Sequence, residues 1–266
     1  MTRLVALLQA RNEQRFLPGW LENVAPAVDG IIALDDGSED GTAELLSAHP
    51  KTLELIRNPA GQAWNERANQ MALIKAGRRH GADWLLCIDA DERLEQRFAA
   101  DVPNLLDEAE RKGIEAYALR YRELWNDRHH YRQDGIWGRK IRHHLFRNDV
   151  RHTKFDPRPL HRHWMPLDIV TRLPTVGANL PHNLYHLRMI RPEDRQARYE
   201  RYISLDPESR YQPEGYDYLI DEGGMELAAV PAERDFLPLR DVALSDETDC
   251  CEPQAAAKNE GVSCVG

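Results

Sequence analysis

With 266 residues, 42% of them hydrophobic and 30% charged, and a mean hydropathy of -0.64, the chain can bury a full domain core, which excludes global disorder. Its apolar runs are too short to cross a bilayer, and the opening MTRLVALLQARNE turns polar before a signal peptide would be complete, so a cytoplasmic protein is expected. Cys87 alone lies in the body of the chain while Cys250, Cys251 and Cys264 lie near its end, which excludes a disulfide framework. The formal charge of -9 is segregated: residues 1–110 carry 11 basic against 19 acidic side chains, 111–202 carry 20 against 10, and 203–266 carry 4 against 15. A basic middle segment suits an anionic partner or a solvated face.

The first hundred residues alternate short apolar runs with helical patterns: RLVALLQ then FLPGWLENV, GIIALD then TAELLSA, TLELIR then NERANQMALIKAGRRH, and finally WLLCID. This alternation predicts a mostly parallel sheet flanked by helices, whose ligands bind beyond the carboxyl ends of the strands. Three polar clusters fall at such ends: ARNE (10–13), DDGSEDGT (35–42) and DADE (89–92). A helix over 95–110 and a strand at AYALRYREL follow. The segment 125–188 holds nine of the eleven histidines and reads as irregular, with a strand at RKIRHHLF. RPEDRQARYERYISL predicts a helix with Pro192 in its first turn, stopped near Asp206. Beyond about Pro238 an acidic stretch with almost no aromatics is expected to be disordered. The expected division is 1–121, 122–238 and a tail of 239–266.

Two clusters carry chemistry. In DDGSEDGT, Gly37 and Gly41 permit a sharp reversal, and Ser38 and Thr42 are placed to cap the next helix, leaving a carboxylate to accept from a base or ribose. In DADE, three acids within four positions repel one another unless a cation joins them. Asp89 and Asp91, two apart, can share Mn²⁺ or Mg²⁺ whose other ligands come from phosphate and water, whereas Glu92 reads as an acidic helix start.

ARNE, LDDGSEDGT, NERANQMALIKAG and CIDADE, in this order and spacing, resemble the family 2 glycosyltransferases, which share the GT-A nucleotide-diphospho-sugar transferase fold. The resemblance covers about residues 1–121. It implies a Rossmann-like, mixed, mostly parallel sheet with a less regular acceptor-side region, and an inverting, metal-dependent transfer of a sugar from a nucleotide-diphosphate donor to a hydroxyl. It places Glu13 and Asp36 on the nucleoside and Arg67 near the nucleotide. Asp89 and Asp91 become the DxD pair on the ribose and the metal-bound diphosphate. Arg67 also fits a salt bridge with Glu66 or Glu13, and Asn12 fits a helix cap. In PHNLYHLRM, His186, with His182 second, is the implied third metal ligand.

Many relatives place an Asp or Glu base in an ED or HE pair. Here the corresponding stretch, FDPRPLHRHWMP, has Arg162 where the acid is expected, which leaves His161 first and Asp156 next, with His163 also present. Arg139, Lys140, Arg142 and Arg147 suit either an anionic glycan or lipid-linked acceptor at a membrane surface or salt bridges with the acidic C-terminal region. Trp125, Tyr131, Trp137 and Trp164 fit sugar stacking and core packing equally. The histidine-rich segment lacks the spacing of a zinc site, and a nucleic-acid partner is not expected. A sugar nucleotidyltransferase would open with a glycine-rich loop where this chain has ARNEQRF. A transferase-like scaffold without a base is the non-enzymatic alternative.

Overall fold

The computed structural model describes residues 2–158 and 163–236. His161, Arg162 and the expected tail of 239–266 lie outside the described residues. In chain order the elements are β1 (Leu4–Ala10), α1 (Leu17–Val24), β2 (Gly30–Asp35), α2 (Thr42–Ala48), β3 (Thr52–Arg57), α3 (Glu66–Arg79), β4 (Trp84–Cys87), β5 (Glu92–Leu94), α4 (Phe98–Lys112), β6 (Ala116–Glu123), β7 (His130–Arg132), β8 (Ile141–Arg147), α5 (Leu167–Val170), α6 (Leu173–Val176), β9 (Gly177–His186), α7 (Pro192–Leu205) and β10 (Leu227–Ala229). Eight strands form one sheet in the order β3-β2-β1-β4-β8-β6-β9-β5, while β7 and β10 make a separate antiparallel ribbon. β3, β2, β1 and β4 are mutually parallel, as is β6 with β9; β4 with β8, β8 with β6, and β9 with β5 are antiparallel.

The apolar runs are explained by burial on both faces. Along β1, Leu4, Ala6 and Leu8 enter the core beneath α1 and α4, while Val5 and Leu7 enter the one beneath α3. Each such side chain removed from water contributes about 1.5–3 kcal/mol, enough together to fix strand register and leave only the strand ends polar. A third cluster joins Trp125 and Trp137 to Met189, Tyr216 and Leu219, so these two tryptophans are core residues. Among the described residues no helix is long and apolar enough to cross a membrane.

Three readings of local sequence are corrected. Glu92 begins strand β5, opposite His186 of β9, and α4 starts only at Phe98: strand pairing overrides the acidic helix-start signal. Ser38 and Thr42 do not cap α2, whose N-cap is Gly41 without a side-chain bond. Their hydroxyls instead accept the backbone N–H groups of Asn12 (2.9 Å) and Glu13 (2.8 Å). Asn12 likewise caps no helix; its Oδ1 accepts Glu39 N–H at 2.9 Å, with its own φ at +56°. The loop after β1 is thereby sewn to the loop after β2.

Gly37 shapes this rim. Its φ is +74°, and a Cβ there would lie 2.8 Å from the Pro59 carbonyl oxygen and 2.9 Å from Ala60 Cα. Gly37→Ala is therefore expected to destabilise the fold by about 1–3 kcal/mol, measured by urea denaturation; an unchanged midpoint would show that the rim yields freely.

Candidate active site

The ends of β1, β2 and β4 converge as their sequence clusters require. The Asp36 N–H is tied to the Ala10 carbonyl at the end of β1 (2.9 Å). Its Oδ1 accepts from Asn58 Nδ2 (2.5 Å) and Asn69 Nδ2 (3.0 Å), so the residue after β3 and the first turn of α3 hold it. Its Oδ2 is buried without a hydrogen-bond partner among the described residues. A buried, oriented acceptor with an unused lone pair costs about 1–3 kcal/mol and is suited to a ligand N–H or O–H. Arg67 stands exposed on the first turn of the same helix.

Glu13 does not pair with Arg67. Arg188, just beyond β9, reaches it through Nη2, 2.6 Å from both carboxylate oxygens. The same guanidinium donates through Nε to Asp91 Oδ2. Burial, with the Asp91 charge, raises the Glu13 carboxyl to about 7 despite Arg188. For Asp91 the balance is opposite: burial favours the acid form, but Arg188 and His186 hold it well below the ordinary range. The positive charge that DADE demands is thus partly supplied by the chain itself.

His186 is where the sheet topology matters most. β9 runs between β6 and β5, so His186 is in register with Glu123 on one side and Glu92 on the other. Its Nδ1 lies 2.5 Å from Glu123 Oε2, and its Nε2 lies 3.3 Å from Asp91 Oδ2 and 3.2 Å from Arg198 Nη1. The last two partners make opposite demands, since Asp91 needs a proton on Nε2 and the guanidinium needs a lone pair there. Burial opposes the imidazolium, yet Glu123 and Asp91 outweigh it and raise His186 to about 9, so the proton facing Asp91 prevails. Glu123 also accepts from Lys140 Nζ at 3.1 Å; burial works against its charge, but His186 and Lys140 keep it ionised.

Asp89 is exposed at the rim, while its backbone N–H binds Glu92 Oε2 at 2.9 Å. The surrounding protein, then Glu92 and Asp91, raise its carboxyl to about 8. His144, on β8, lies 3.4 Å from Glu92. His182 is turned away, on Asp101 (2.8 Å) and edge-on to Phe98.

Among the described residues no group of three or more His, Cys, Asp or Glu side chains is arranged to hold a metal ion. The fit to Mn²⁺ or Mg²⁺ therefore rests on a pair, Asp91 and His186, with Glu123 behind the imidazole as an orienting carboxylate. Two protein ligands suffice for a hard cation that takes the rest from phosphate and water. The donor set fits, on condition that Arg188 yields Asp91 and His186 yields a proton.

Asp156 is built into its own turn. Its oxygens accept from Arg158 N (3.0 Å), Nε (2.9 and 3.1 Å) and Nη2 (2.6 Å). Although burial pushes the other way, Arg158 holds the carboxyl at about 2, which leaves little proton affinity. The basic span is engaged locally: Lys140 with Glu123, Arg147 with Glu110, and Arg142 over the Tyr121 ring at 4.9 Å. A cavity of about 370 Å³ between β6 and the β7–β10 ribbon contains none of the rim acids.

A mixed, mostly parallel sheet flanked by helices, with acids gathered at its strand ends, is the architecture expected of a GT-A fold. The model of glycosyl transferase family 2 matches residues 7–193, and the chain belongs to that family. It is 32% identical over 94 residues to the uncharacterized protein Rv3786c of Mycobacterium tuberculosis, covering 34% of this chain and 23% of that one. It is 29% identical over 110 residues to the TPR repeat-containing protein Synpcc7942_0270 of Synechococcus elongatus, covering 41% and 26%. The chain thus matches about a quarter of the length of these relatives. Among solved structures it is similar to S. aureus TarS 1-349 in complex with UDP-GlcNAc (TM-score 0.48, 9% identity, 83% of this chain and 71% of that). It is also similar to glucosyl-3-phosphoglycerate synthase from Mycobacterium tuberculosis in complex with Mn²⁺, UDP and glucosyl-3-phosphoglycerate (TM-score 0.46, 17% identity, 79% and 80%).

Glu123, Arg188 and Arg198 escape a sequence reading because their partners are 63, 97 and 12 positions away; the faint signal is an acid ending the strand AYALRYRE and the His-x-Arg of YHLR. Removing one member of a buried ion pair leaves the other uncompensated. Glu123→Gln is expected to cost about 3 kcal/mol at pH 6 by urea denaturation. A histidine with a raised pKa stabilises fully below its ordinary value and loses the effect as pH rises through the folded one. The cost of Glu123→Gln should therefore shrink between about pH 6.5 and 9; a cost that grows over that range would contradict the pairing.

Proposed function

We propose that the chain moves a sugar from a nucleotide-diphosphate donor to a hydroxyl acceptor with inversion at the anomeric carbon, assisted by Mn²⁺ or Mg²⁺. The observation that carries this reading is the convergence of Asp36, with its unused Oδ2, and the Asp91–His186 pair on one rim of a family 2 fold. Asp36 and Glu13 take the nucleoside, Arg67 stands by the nucleotide, and Asp89 meets the ribose. Asp91 and His186 hold the cation, which when bound neutralises charge on the departing diphosphate.

In the reaction the acceptor oxygen attacks the anomeric carbon as the bond to the diphosphate oxygen breaks, and the hydroxyl proton passes to a base. Of the two candidates His161 takes this role, because the Asp156 carboxylate, saturated by Arg158, binds a proton poorly. The acceptor is a glycan or lipid-linked sugar, anionic in keeping with Arg139 and Arg142, and the enzyme works in envelope or extracellular polysaccharide assembly from the cytoplasmic side, in peripheral contact with the membrane.

The test is product formation from a panel of nucleotide sugars with and without Mn²⁺. Asp91→Ala should lower turnover by about 100-fold or more, and His161→Ala should abolish transfer while nucleotide binding persists. Nucleotide binding without turnover, in the presence of an acceptor used by a related enzyme, would favour the scaffold reading. Full activity after replacing both His161 and Asp156 would remove both from the mechanism.

A further inference from the structure

Arg188 joins the two ends of the rim. One nitrogen, Nη2, is 2.6 Å from both oxygens of Glu13, assigned above to the nucleoside, while Nε binds Asp91, assigned to the cation. Strands β1 and β4 are adjacent in the sheet, so the guanidinium spans the gap between their ends. The backbone beside it is fixed: Leu187 N–H binds the Asp91 carbonyl at 2.8 Å. The side chain is 28% exposed, at the end of a long stem and 5.0 Å from the Phe16 ring centre, and its hold on the rim is through the two carboxylates. Backbone anchoring with a half-buried head on a long stem allows the group to leave its partners without moving the sheet.

We propose that Arg188 is a displaceable internal counter-ion that occupies the cation's place in the nucleotide-free protein, so that divalent metal and nucleotide diphosphate bind as mutually dependent ligands. This rests on the donor and metal reading above. A divalent ion entering alone must take Asp91 from Arg188 and leaves the guanidinium with only Glu13. When a diphosphate enters with it, phosphate oxygens accept the freed N–H groups in the forked geometry that arginine favours. Glu13 is released toward the nucleoside in the same event. The cost of opening the latch is thus met once for two ligands, which is positive coupling, and coupling of binding is reciprocal. Arg188 thus acts through Asp91 and Glu13 before the ligands enter and directly on the diphosphate once they are bound.

The experiment measures Mn²⁺ affinity by electron paramagnetic resonance without nucleotide, and UDP affinity by calorimetry with and without saturating Mn²⁺, for the wild type, Arg188→Gln and Arg188→Lys. The wild type should bind Mn²⁺ weakly alone and gain at least about fivefold in UDP affinity from the metal. Arg188→Gln should bind Mn²⁺ alone at least about fivefold more tightly than the wild type, with a smaller metal dependence of UDP binding. Arg188→Lys, which keeps the charge but cannot span both acids with a planar fork, should lie between them and serves if the glutamine variant fails to fold. Unchanged or weaker Mn²⁺ binding by both variants, with a wild type that still binds metal and UDP together, overturns the latch and leaves the transferase reading standing. Absence of Mn²⁺ binding in every protein, even with UDP, overturns the latch together with the metal part of that reading.

Discussion

The rim of this sheet is organised by the neutralisation of carboxylates that the fold brings too close together. Glu13, the DADE acids Asp89, Asp91 and Glu92, and Glu123 come from three different segments, and most of the cations that answer them come from β9 and the residues after it, His186, Arg188 and Arg198, with Lys140 on Glu123 and His144 beside Glu92. Taking a charge out of water costs several kcal/mol, and a buried pair recovers that only when its geometry is good. The arrangement therefore adds little net stability. It does make the position of β9 obligatory, because sliding that strand by one residue would turn His186 to the opposite face and leave Glu123 and Asp91 unpaired. β5, three residues long, pairs with β9 beside this point and so holds the DADE segment against its counter-ions.

The fold's first half was legible because its signals are local. Apolar runs, glycine turns and polar strand ends in the first ninety residues each report on themselves, and β1 to β4, α1 to α3 and the convergence of Asp36 with Asp91 follow the expected pattern. α7 was legible for the same reason, with Pro192 opening it and Asp206 closing it. The counter-ions were not, since Glu13 and Arg188 are 175 positions apart and nothing in either neighbourhood names the other. Glu92 shows how local reading misleads: an acid before an apolar run suits a helix start, but hydrogen bonding to β9 and the Asp89 N–H binds it as a strand. Ser38 and Thr42 have the chemistry of caps and spend it on the neighbouring loop, a choice set by the approach of β1 to β2.

The two ends of the rim are prepared to different degrees. At the end proposed for the nucleoside, Asp36 is held by two amides and the backbone of β1, and its Oδ2 is left for a donor. A contact to Asp36 needs no rearrangement, so it contributes from first contact, whereas Glu13 must first leave Arg188. At the diphosphate end the acids are already paired, with Arg188 and with His186, and each pair must open before a cation and phosphates can replace it. On the proposed reading a nucleoside therefore binds the rigid half of the site and carries its phosphates toward the latched half, where effective concentration makes exchange of one set of ion pairs for another favourable. An ion without nucleotide has no such tether. On the same reading the asymmetry keeps the crowded acids compensated when no ion is bound, which a site relying on metal alone could not do.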